Sequence, residues 1–404
     1  MGKINILIVD GLHRIGLAVA RSLKLAGGYK VHMAIQNTGW LSSVQRELKS
    51  NAVDRIHFLP VGLADKAILY YLRRLIHDYK IDFLLPAGHH GTLYIAQLKK
   101  DLSRLCTVLA PDYEKVLQLH DKRSTVKLAG RAGIPCPITV FPRNQTAVES
   151  YAKNCTYPVV VKAAKGAGAD GVWYASNATQ LIQAYQVAIA ASASCDGFIR
   201  DTSSPLLQEY IPGHLHDVAA FSLDGELKAA LTQKRLLTKP LKGGKGIVNT
   251  TTYNSDLIAL AGRFIGHIRW HGVVLFDFKI DRRDGIPKLL EVNPRFWGTT
   301  WLTTCAGFNF PHNLVLAARR QPLYFPPKYQ VDLVCRWPLY EIGTILEKPR
   351  SVAIILQKIK DFVCRFRSRP TVYDILWSDP KPFVAEVITR LVGTWRSLIR
   401  RGRA

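Results

Sequence analysis

Two apolar runs joined by a tight turn constrain this chain of 404 residues more than any other feature. The first run covers residues 273–280 and the second 287–295. Between them Arg282-Arg283-Asp284-Gly285 ends in Asp-Gly, a pair that tolerates the positive φ of a tight hairpin turn. The pattern predicts two antiparallel strands. Asp277 lies in the first, Glu291 and Asn293 in the second. Side chains two apart on a strand share a face. Glu291 and Asn293 therefore point the same way, and the hairpin can set Asp277 opposite them. Unpaired acids are disfavoured inside apolar strands. Two carboxylates and an amide oxygen are hard ligands that suit Mg²⁺, with phosphate oxygens completing the shell. Arg295 follows and can meet a phosphate or a developing oxyanion. The bland alternative is a surface hairpin with incidental acids.

Other stretches supply groups for a polyanion. Tyr157-Pro158-Val159-Val160-Val161-Lys162 reads as a buried strand ending in one lysine, which is costly unless it meets an anion. Lys165-Gly166-Ala167-Gly168-Ala169-Asp170-Gly171-Val172 comes next. Its glycines let the backbone curl so that amide N–H groups face phosphate oxygens. An ordinary hairpin turn is the other reading. Leu206-Leu207-Gln208-Glu209-Tyr210-Ile211-Pro212-Gly213 runs from apolar residues to an acid and a Pro-Gly turn. A strand here can offer N–H and C=O groups to a purine, and Glu209 can accept from an exocyclic amine or a ribose hydroxyl. Read without its neighbours, it is an edge strand.

The N-terminal part opens as β-α-β. Residues 4–9 are a strand, Ile15, Ala18, Val19 and Leu23 mark one face of a helix, and 31–35 form a second strand. A helix over 69–79 and a strand over 81–85 continue the pattern of a parallel sheet covered by helices. Gly11 and Gly16 do not make the dinucleotide fingerprint. His13, Arg14, His89 and His90 are placed on loops at strand ends, either solvated or facing a substrate. Gly133-Ile134-Pro135-Cys136-Pro137 is a rigid turn, and 321–327, with three prolines, reads as a linker.

Composition bounds the partners. Fifty-five Lys and Arg against 30 Asp and Glu give a net charge of +25. Such a field attracts polyanions, or reflects a basic proteome. No zinc finger, RNP-like aromatic motif or convincing helix-turn-helix accompanies it, so no specific nucleic-acid partner is expected. The seven scattered Cys show no CxxC pair and predict buried thiols in a reducing compartment. Residues 1–10 lack a signal-peptide pattern, and no run approaches the ~18 apolar residues of a membrane span. The expected compartment is the cytoplasm.

In this order, several motifs resemble the ATP-grasp superfamily. They are Lys122 after Leu119-His120-Asp121, the Gly-Ile-Pro-Cys-Pro turn, Lys162 with its glycine loop, and Gln208-Glu209-Tyr210-Ile211-Pro212-Gly213. Asp277 and Glu291-Val292-Asn293-Pro294-Arg295-Phe296-Trp297-Gly298 complete the set. The last stretch, with Gln233-Lys234-Arg235 upstream, is similar to carboligases akin to the carbamoyl-phosphate synthase large subunit. The resemblance covers about residues 1–320. It implies an α/β and α+β chain: a Rossmann-like parallel-sheet pre-ATP-grasp domain over 1–118, then a two-lobed ATP-grasp domain over 119–320. The small lobe would span about 135–208 and the large lobe about 209–320.

The implied cofactors are ATP and Mg²⁺, with Mn²⁺ compatible. Carried over by motif, Lys122 and Lys162 would hold phosphates, and 166–171, with Gly166, Gly168 and Gly171, would form a lid. Gln208, Glu209, Tyr210 and Ile211 would line the adenine and ribose site. Asp277, Glu291 and Asn293 would bind the metal. Arg235 and Arg295, with Lys162, would serve the transferred phosphoryl group. Asp277 stands where Glu is common, and Asp217 is the expected second acid for ribose. The lysine-rich loop 239–246 would cover an acidic substrate or be solvated. The implied activity is ligation of a small-molecule carboxylate to an amine through an acyl phosphate. The alternatives are carboxyphosphate chemistry, a basic nucleic-acid-binding protein, and a grasp that binds ATP without turnover. A homo-oligomer is compatible with all of them.

Residues 331–404 carry 14 Lys and Arg against 7 Asp and Glu. Phe383, Val384, Val387, Ile388, Leu391, Val392, Trp395, Leu398 and Ile399 recur at helical spacing, with Arg390, Arg396, Arg400 and Arg401 between them. This predicts a basic helical extension after the linker. It either packs on the catalytic body or lies on an anionic membrane, at the inner membrane face.

Overall fold

The computed structural model describes residues 2–10, 14–36, 40–60, 65–165, 171–193, 204–239, 244–346, 360 and 369–401. By contacts the chain divides into two units. Residues 1–110, 247–249 and 295–404 form one, and 111–246 with 250–294 form the other.

In the first unit, strands β1 (Ile4–Val9), β2 (Tyr29–Gln36), β3 (Arg55–Leu59), β4 (Phe83–Pro86) and β5 (Thr107–Val108) make a parallel sheet in the order β3-β2-β1-β4-β5. Ile6, Leu7, Ile8 and Val9 are all buried, as a strand covered on both faces requires. The helix Arg14–Ala26 buries Ala18, Val19 and Leu23. The helix predicted at 69–79 is Asp65–Asp78, and the strand predicted at 81–85 is Phe83–Pro86.

The loop assignment of three residues is corrected. Arg14 opens the helix Arg14–Ala26, and His89 and His90 open the helix His89–Gln97. The second helix starts early because the Asp10 carboxylate accepts from the Gly91 N–H at 3.2 Å, satisfying a first-turn donor. Gly88 permits that approach: a Cβ there would stand 2.1 Å from Asp10 Oδ2. His13 lies outside the described residues.

Residues 321–404, expected as a linker and extension, group with residues 1–110. Arg21 pairs with Asp379 at 3.0 Å, and Asp379 also accepts from the Ser50 hydroxyl and the Asn51 N–H. Strands Val334–Arg336 and Thr371–Tyr373 pair in parallel. The C-terminal helix is Lys381–Arg401. Its Ala385 is buried, but Leu391 is 65% exposed, so the described part of its apolar stripe is only partly covered. The side chains of Trp395, Arg396, Leu398, Ile399, Arg400 and Arg401 lie outside the described residues. Among the described residues no helix is long and apolar enough to cross a membrane.

The second unit holds two antiparallel arrays. The smaller comprises β6 (Thr139–Val140), β7 (Val159–Lys162), β8 (Val172–Ala175) and β9 (Leu206–Glu209), in the order β6-β9-β7-β8. Helices Gln145–Asn154 and Ala178–Ala193 close a core with Val159, Val161 and Leu207. Alternation then turns Val160 and Lys162 to the other face. The edge-strand reading of β9 is corrected: Gln208 pairs with Val160 on one side and with Thr139 on the other. β6, some seventy residues distant in sequence, covers what would have been the edge.

The larger array is β10 (Gly213–Leu223), β11 (Glu226–Lys239), β12 (Lys245–Thr252), β13 (Gly272–Asp281) and β14 (Pro287–Asn293), in the order β14-β13-β10-β11-β12. The helix Ser255–Ile268, capped by Asn254, turns Leu257, Leu260, Ala261, Phe264 and Ile265 inward. Phe264 meets Phe276 of β13 edge-on, with centroids 5.6 Å apart. Phe276 therefore belongs to the covered face. Leu275, Asp277 and Lys279 alternate onto the opposite one.

Candidate active site

The predicted hairpin forms, with Gly285 at φ +73° in its turn. Counted from that turn, Ile280 pairs with Pro287, Lys279 with Lys288 and Phe278 with Leu289. The register then slips by one, and Asp277 pairs with Glu291. Leu290 is the extra residue of a β-bulge. Its effect is decisive, because a one-residue shift moves every later side chain to the other face. Without it Glu291 would oppose Phe276 on the covered face. With it Glu291 and Asn293 share the face of Asp277.

The acids continue across the sheet. Asp217 of β10 opposes Asp277, and Gln233 of β11 opposes Asp217. Gln233, Asp217, Asp277 and Glu291 thus form one row over four strands. Like charges directly opposite destabilise a sheet, so this row needs cations. Arg235 supplies one. Its Nε and Nη2 donate to Asp217 at 3.0 and 2.6 Å, and Nη2 also reaches Asp277 Oδ2 at 2.5 Å. Nη1 donates to the Gly244 carbonyl at 3.2 Å. Burial opposes the charge on Arg235, but the two carboxylates hold it protonated, well above its ordinary range. Burial and then Asp277 push Asp217 upward against the pull of Arg235. The guanidinium between two acids keeps the ion pair.

Asp277 Oδ1 remains buried with no hydrogen-bond partner. Asp277 pairs across the strands with Glu291, and Asn293 lies one strand pair away on the same face, 8% exposed. An orphaned carboxylate oxygen beside a second carboxylate fits a divalent cation. Among the described residues no three His, Cys, Asp or Glu side chains gather as a cage. Two acids and an amide leave the rest of the shell to phosphate oxygens and water.

Two lysines flank Glu291. Lys122 opens the helix Lys122–Arg131 after the Asp121 cap, and its Nζ lies 3.9 Å from Glu291 Oε1. Lys162 ends β7 and is 8% exposed. Burial lowers its pKa to about 8, against the upward pull of Glu291. The amine of the free protein is therefore losing its proton above pH 8. A bound polyphosphate favours the charged form, so binding must restore that proton. Calorimetry of ATP binding at pH 9, in two buffers of different ionisation heat, is expected to show net proton uptake. Affinity should fall by up to about tenfold per pH unit above 8. Lys162→Met should abolish the uptake; uptake unchanged in that variant would contradict the assignment.

The hinge after β9 lies in the same unit. Gln208 Nε2 donates to Thr139 Oγ1 at 3.0 Å. Glu209 receives Arg283 Nη2 at 2.5 Å and the Ile138 N–H at 3.3 Å. Tyr210 packs edge-on against Tyr174, and Ile211 is 2% exposed. Gly171 closes the described end of the glycine loop at φ +80°, its carbonyl accepting from the Ala163 N–H. Gly166 and Gly168 lie outside the described residues, as do 240–243 of the lysine-rich loop.

The family described as ATP-grasp in the biosynthetic pathway with Ter operon matches residues 201–337. That described as carbamoyl-phosphate synthase L chain, ATP binding domain, matches 121–213. The two meet across the hinge and together take in both lysines, Arg235 and the acid hairpin. The chain thus carries an ATP-grasp region over residues 201–337.

Among curated proteins, the chain is similar to a D-aspartate ligase of Enterococcus faecium (strain Aus0004), 23% identical over 239 residues. The match covers 56% of this chain and 56% of that ligase, so it spans little more than half of the relative's length. Among solved structures, an L-amino acid ligase from Bacillus licheniformis shares the fold with a TM-score of 0.66 at 15% identity, over 83% of this chain and 80% of that one. The biotin carboxylase domain of Hydrogenobacter thermophilus 2-oxoglutarate carboxylase, solved with MgADP, ADP and bicarbonate, has a TM-score of 0.66 at 15% identity, over 83% and 74%.

Four expected site residues, Arg235, Asp217, Glu209 and Arg295, have protein partners. Arg235, expected beside the transferred phosphoryl group, has all three guanidinium nitrogens engaged by Asp217, Asp277 and Gly244. Its bonds tie Asp217 and Asp277 together. Asp217, expected at the ribose, is 1% exposed and bound through both oxygens inside the row. Glu209, the other ribose candidate, is ion-paired to Arg283. Arg295 groups with the first unit, where its Nη1 donates to the Phe296 carbonyl at 2.9 Å. Phe296 and Trp297 are core residues, each 1% exposed. Sequence reading missed Lys279 and Arg283. Lys279 carried a usable signal, since it lies two residues from Asp277 and so on the acid face.

Proposed function

We propose that this protein joins a carboxylate to an amine, with conversion of ATP to ADP and phosphate. The observation that carries the reading is the pairing of Asp277 with Glu291 beside the buried Lys122 and Lys162. Anionic oxygens poised for a divalent cation, next to buried ammonium groups, suit phosphoryl transfer, which depends on positioning and charge neutralisation. No nucleophilic side chain is needed. The substrate carboxylate attacks the terminal phosphorus, ADP leaves, and the acyl phosphate gives the amine an electrophile with a good leaving group. The amine nitrogen then bonds to the acyl carbon, loses a proton, and phosphate departs.

In this reading Asp277, Glu291 and Asn293 hold Mg²⁺, which would neutralise phosphate charge; Mn²⁺ suits the same oxygens. Lys122 and Lys162 hold phosphates, and Gln208, Glu209, Tyr210 and Ile211 line the base and ribose. Arg235 fixes Asp277, and Arg295 is assigned to the acyl phosphate. The ligase names of the D-aspartate and L-amino acid relatives support an amine as the second substrate. The testing experiment is ADP release that requires a carboxylic acid.

A finer reading assigns the helix Lys381–Arg401 to anionic lipid, supported by its basic composition and the exposed Val384 and Leu391. It predicts that the full chain sediments with phosphatidylserine vesicles and not with phosphatidylcholine vesicles. Equal, negligible sedimentation with both would remove it.

A further inference from the structure

Lys279 is a buried ammonium without a carboxylate. It is 9% exposed, and among the described residues it makes no ion pair. Its Nζ donates to the Ile211 carbonyl at 2.9 Å and lies 4.7 Å from the centre of the Tyr210 ring. One neutral acceptor and one aromatic face are modest compensation for a desolvated charge. The adjoining hinge is also incomplete. Among the described residues, the backbone N–H groups of Tyr210 and Ile211 donate to no protein acceptor. The open hinge N–H groups and the Lys279 ammonium together present donors that a ligand can accept from. Gly213 lets the start of β10 press against β13 here, since a Cβ would stand 2.0 Å from the Ile280 carbonyl.

We propose that Lys279 positions the nucleobase: its ammonium holds the Ile211 carbonyl and gives a remaining N–H to a ring nitrogen of the purine, beside the open N–H groups of the hinge. The inference rests on the nucleotide reading of the site. It extends that reading by assigning a base-recognition role to a residue on the metal-bearing strand. Lys122 and Lys162 serve the phosphates, so Lys279 should matter only when a base is present.

The test measures equilibrium binding of Mg-ATP, its 3-deaza and 7-deaza analogues, and Mg-tripolyphosphate to the wild type and to Lys279→Met. The wild type is expected to bind one deaza analogue at least tenfold more weakly than ATP. In Lys279→Met, ATP should weaken at least tenfold, discrimination against that analogue should shrink to within threefold, and tripolyphosphate should stay within threefold. If the methionine variant does not fold, judged by its melting curve, Lys279→Gln is measured in the same way. Unchanged ATP binding, retained discrimination, or an equal loss of tripolyphosphate would each overturn the proposal. A wild type that binds tripolyphosphate as tightly as ATP would overturn the nucleotide reading as well. A wild type that prefers ATP while the variant keeps its discrimination overturns the Lys279 role alone.

Discussion

Glu291→Ala is expected to slow ADP release by at least ~10²-fold while leaving the fold within about 1 kcal/mol of the wild type. The two effects separate because of where Glu291 sits. Its side chain is 19% exposed and its nearest cation, Lys122, is 3.9 Å away, so little native binding energy depends on it. It also stands directly opposite Asp277, and removing one of two facing like charges relieves repulsion in the unliganded protein. The loss of the Lys122 contact offsets that gain. Catalysis has no such compensation, because the cation site keeps one carboxylate and an amide. Turnover measured beside urea denaturation checks both halves. A variant that unfolds would show instead that Glu291 is a structural acid.

The second large effect is on stability. Arg235→Met should destabilise the protein by about 3–5 kcal/mol at pH 7.5, as expected when one partner of a buried ion pair is removed. Against a typical total of about 5–15 kcal/mol this is severe. Asp217 and Asp277 would then face each other across β10 and β13 with no cation between them. The Asp217 carboxyl, which burial pushes up against the pull of Arg235, would rise further, so the folded variant would bind protons that its unfolded chain releases. The sign follows from linkage: the penalty is full above the raised folded value and fades as pH falls toward the unfolded carboxylate range near ~4. Urea titrations of wild type and variant at pH 7.5 and pH 5 should therefore converge at the lower pH. A gap that stays constant would mean that Arg235 acts through packing. Arg235→Lys keeps the charge but not the fork, and should recover only part of the stability.

The strands were legible in the sequence because they depend on local alternation. Residues 273–280 and 287–293 could pair only as a hairpin around Asp284-Gly285, and the acids interrupt an otherwise apolar pattern. The bulge at Leu290 was not legible. Alternation counted from the turn would have sent Glu291 to the face of Phe276, and only the paired backbone reveals the slip. Lys279 was within reach of the same period-two argument, but its meaning depends on the Ile211 carbonyl, 68 residues away. The partners of Gln208, Asp217 and Arg235 were not legible for a similar reason. Each is fixed by a partner on another strand, which no local pattern names. In the first unit, Asp10 sets the start of a helix across the sheet, and Arg21 ties in Asp379 from near the other end of the chain.

The central claim, that the chain phosphorylates a carboxylate for attack by an amine, is tested most directly by ADP release from Mg-ATP. The panel should comprise amino acids, other carboxylic acids and bicarbonate, each with and without an amine, with Glu291→Ala as the control. The account predicts release that requires one acid, accelerates with an amine and is lost in the variant. Release that ignores the acid and persists in Glu291→Ala would contradict it.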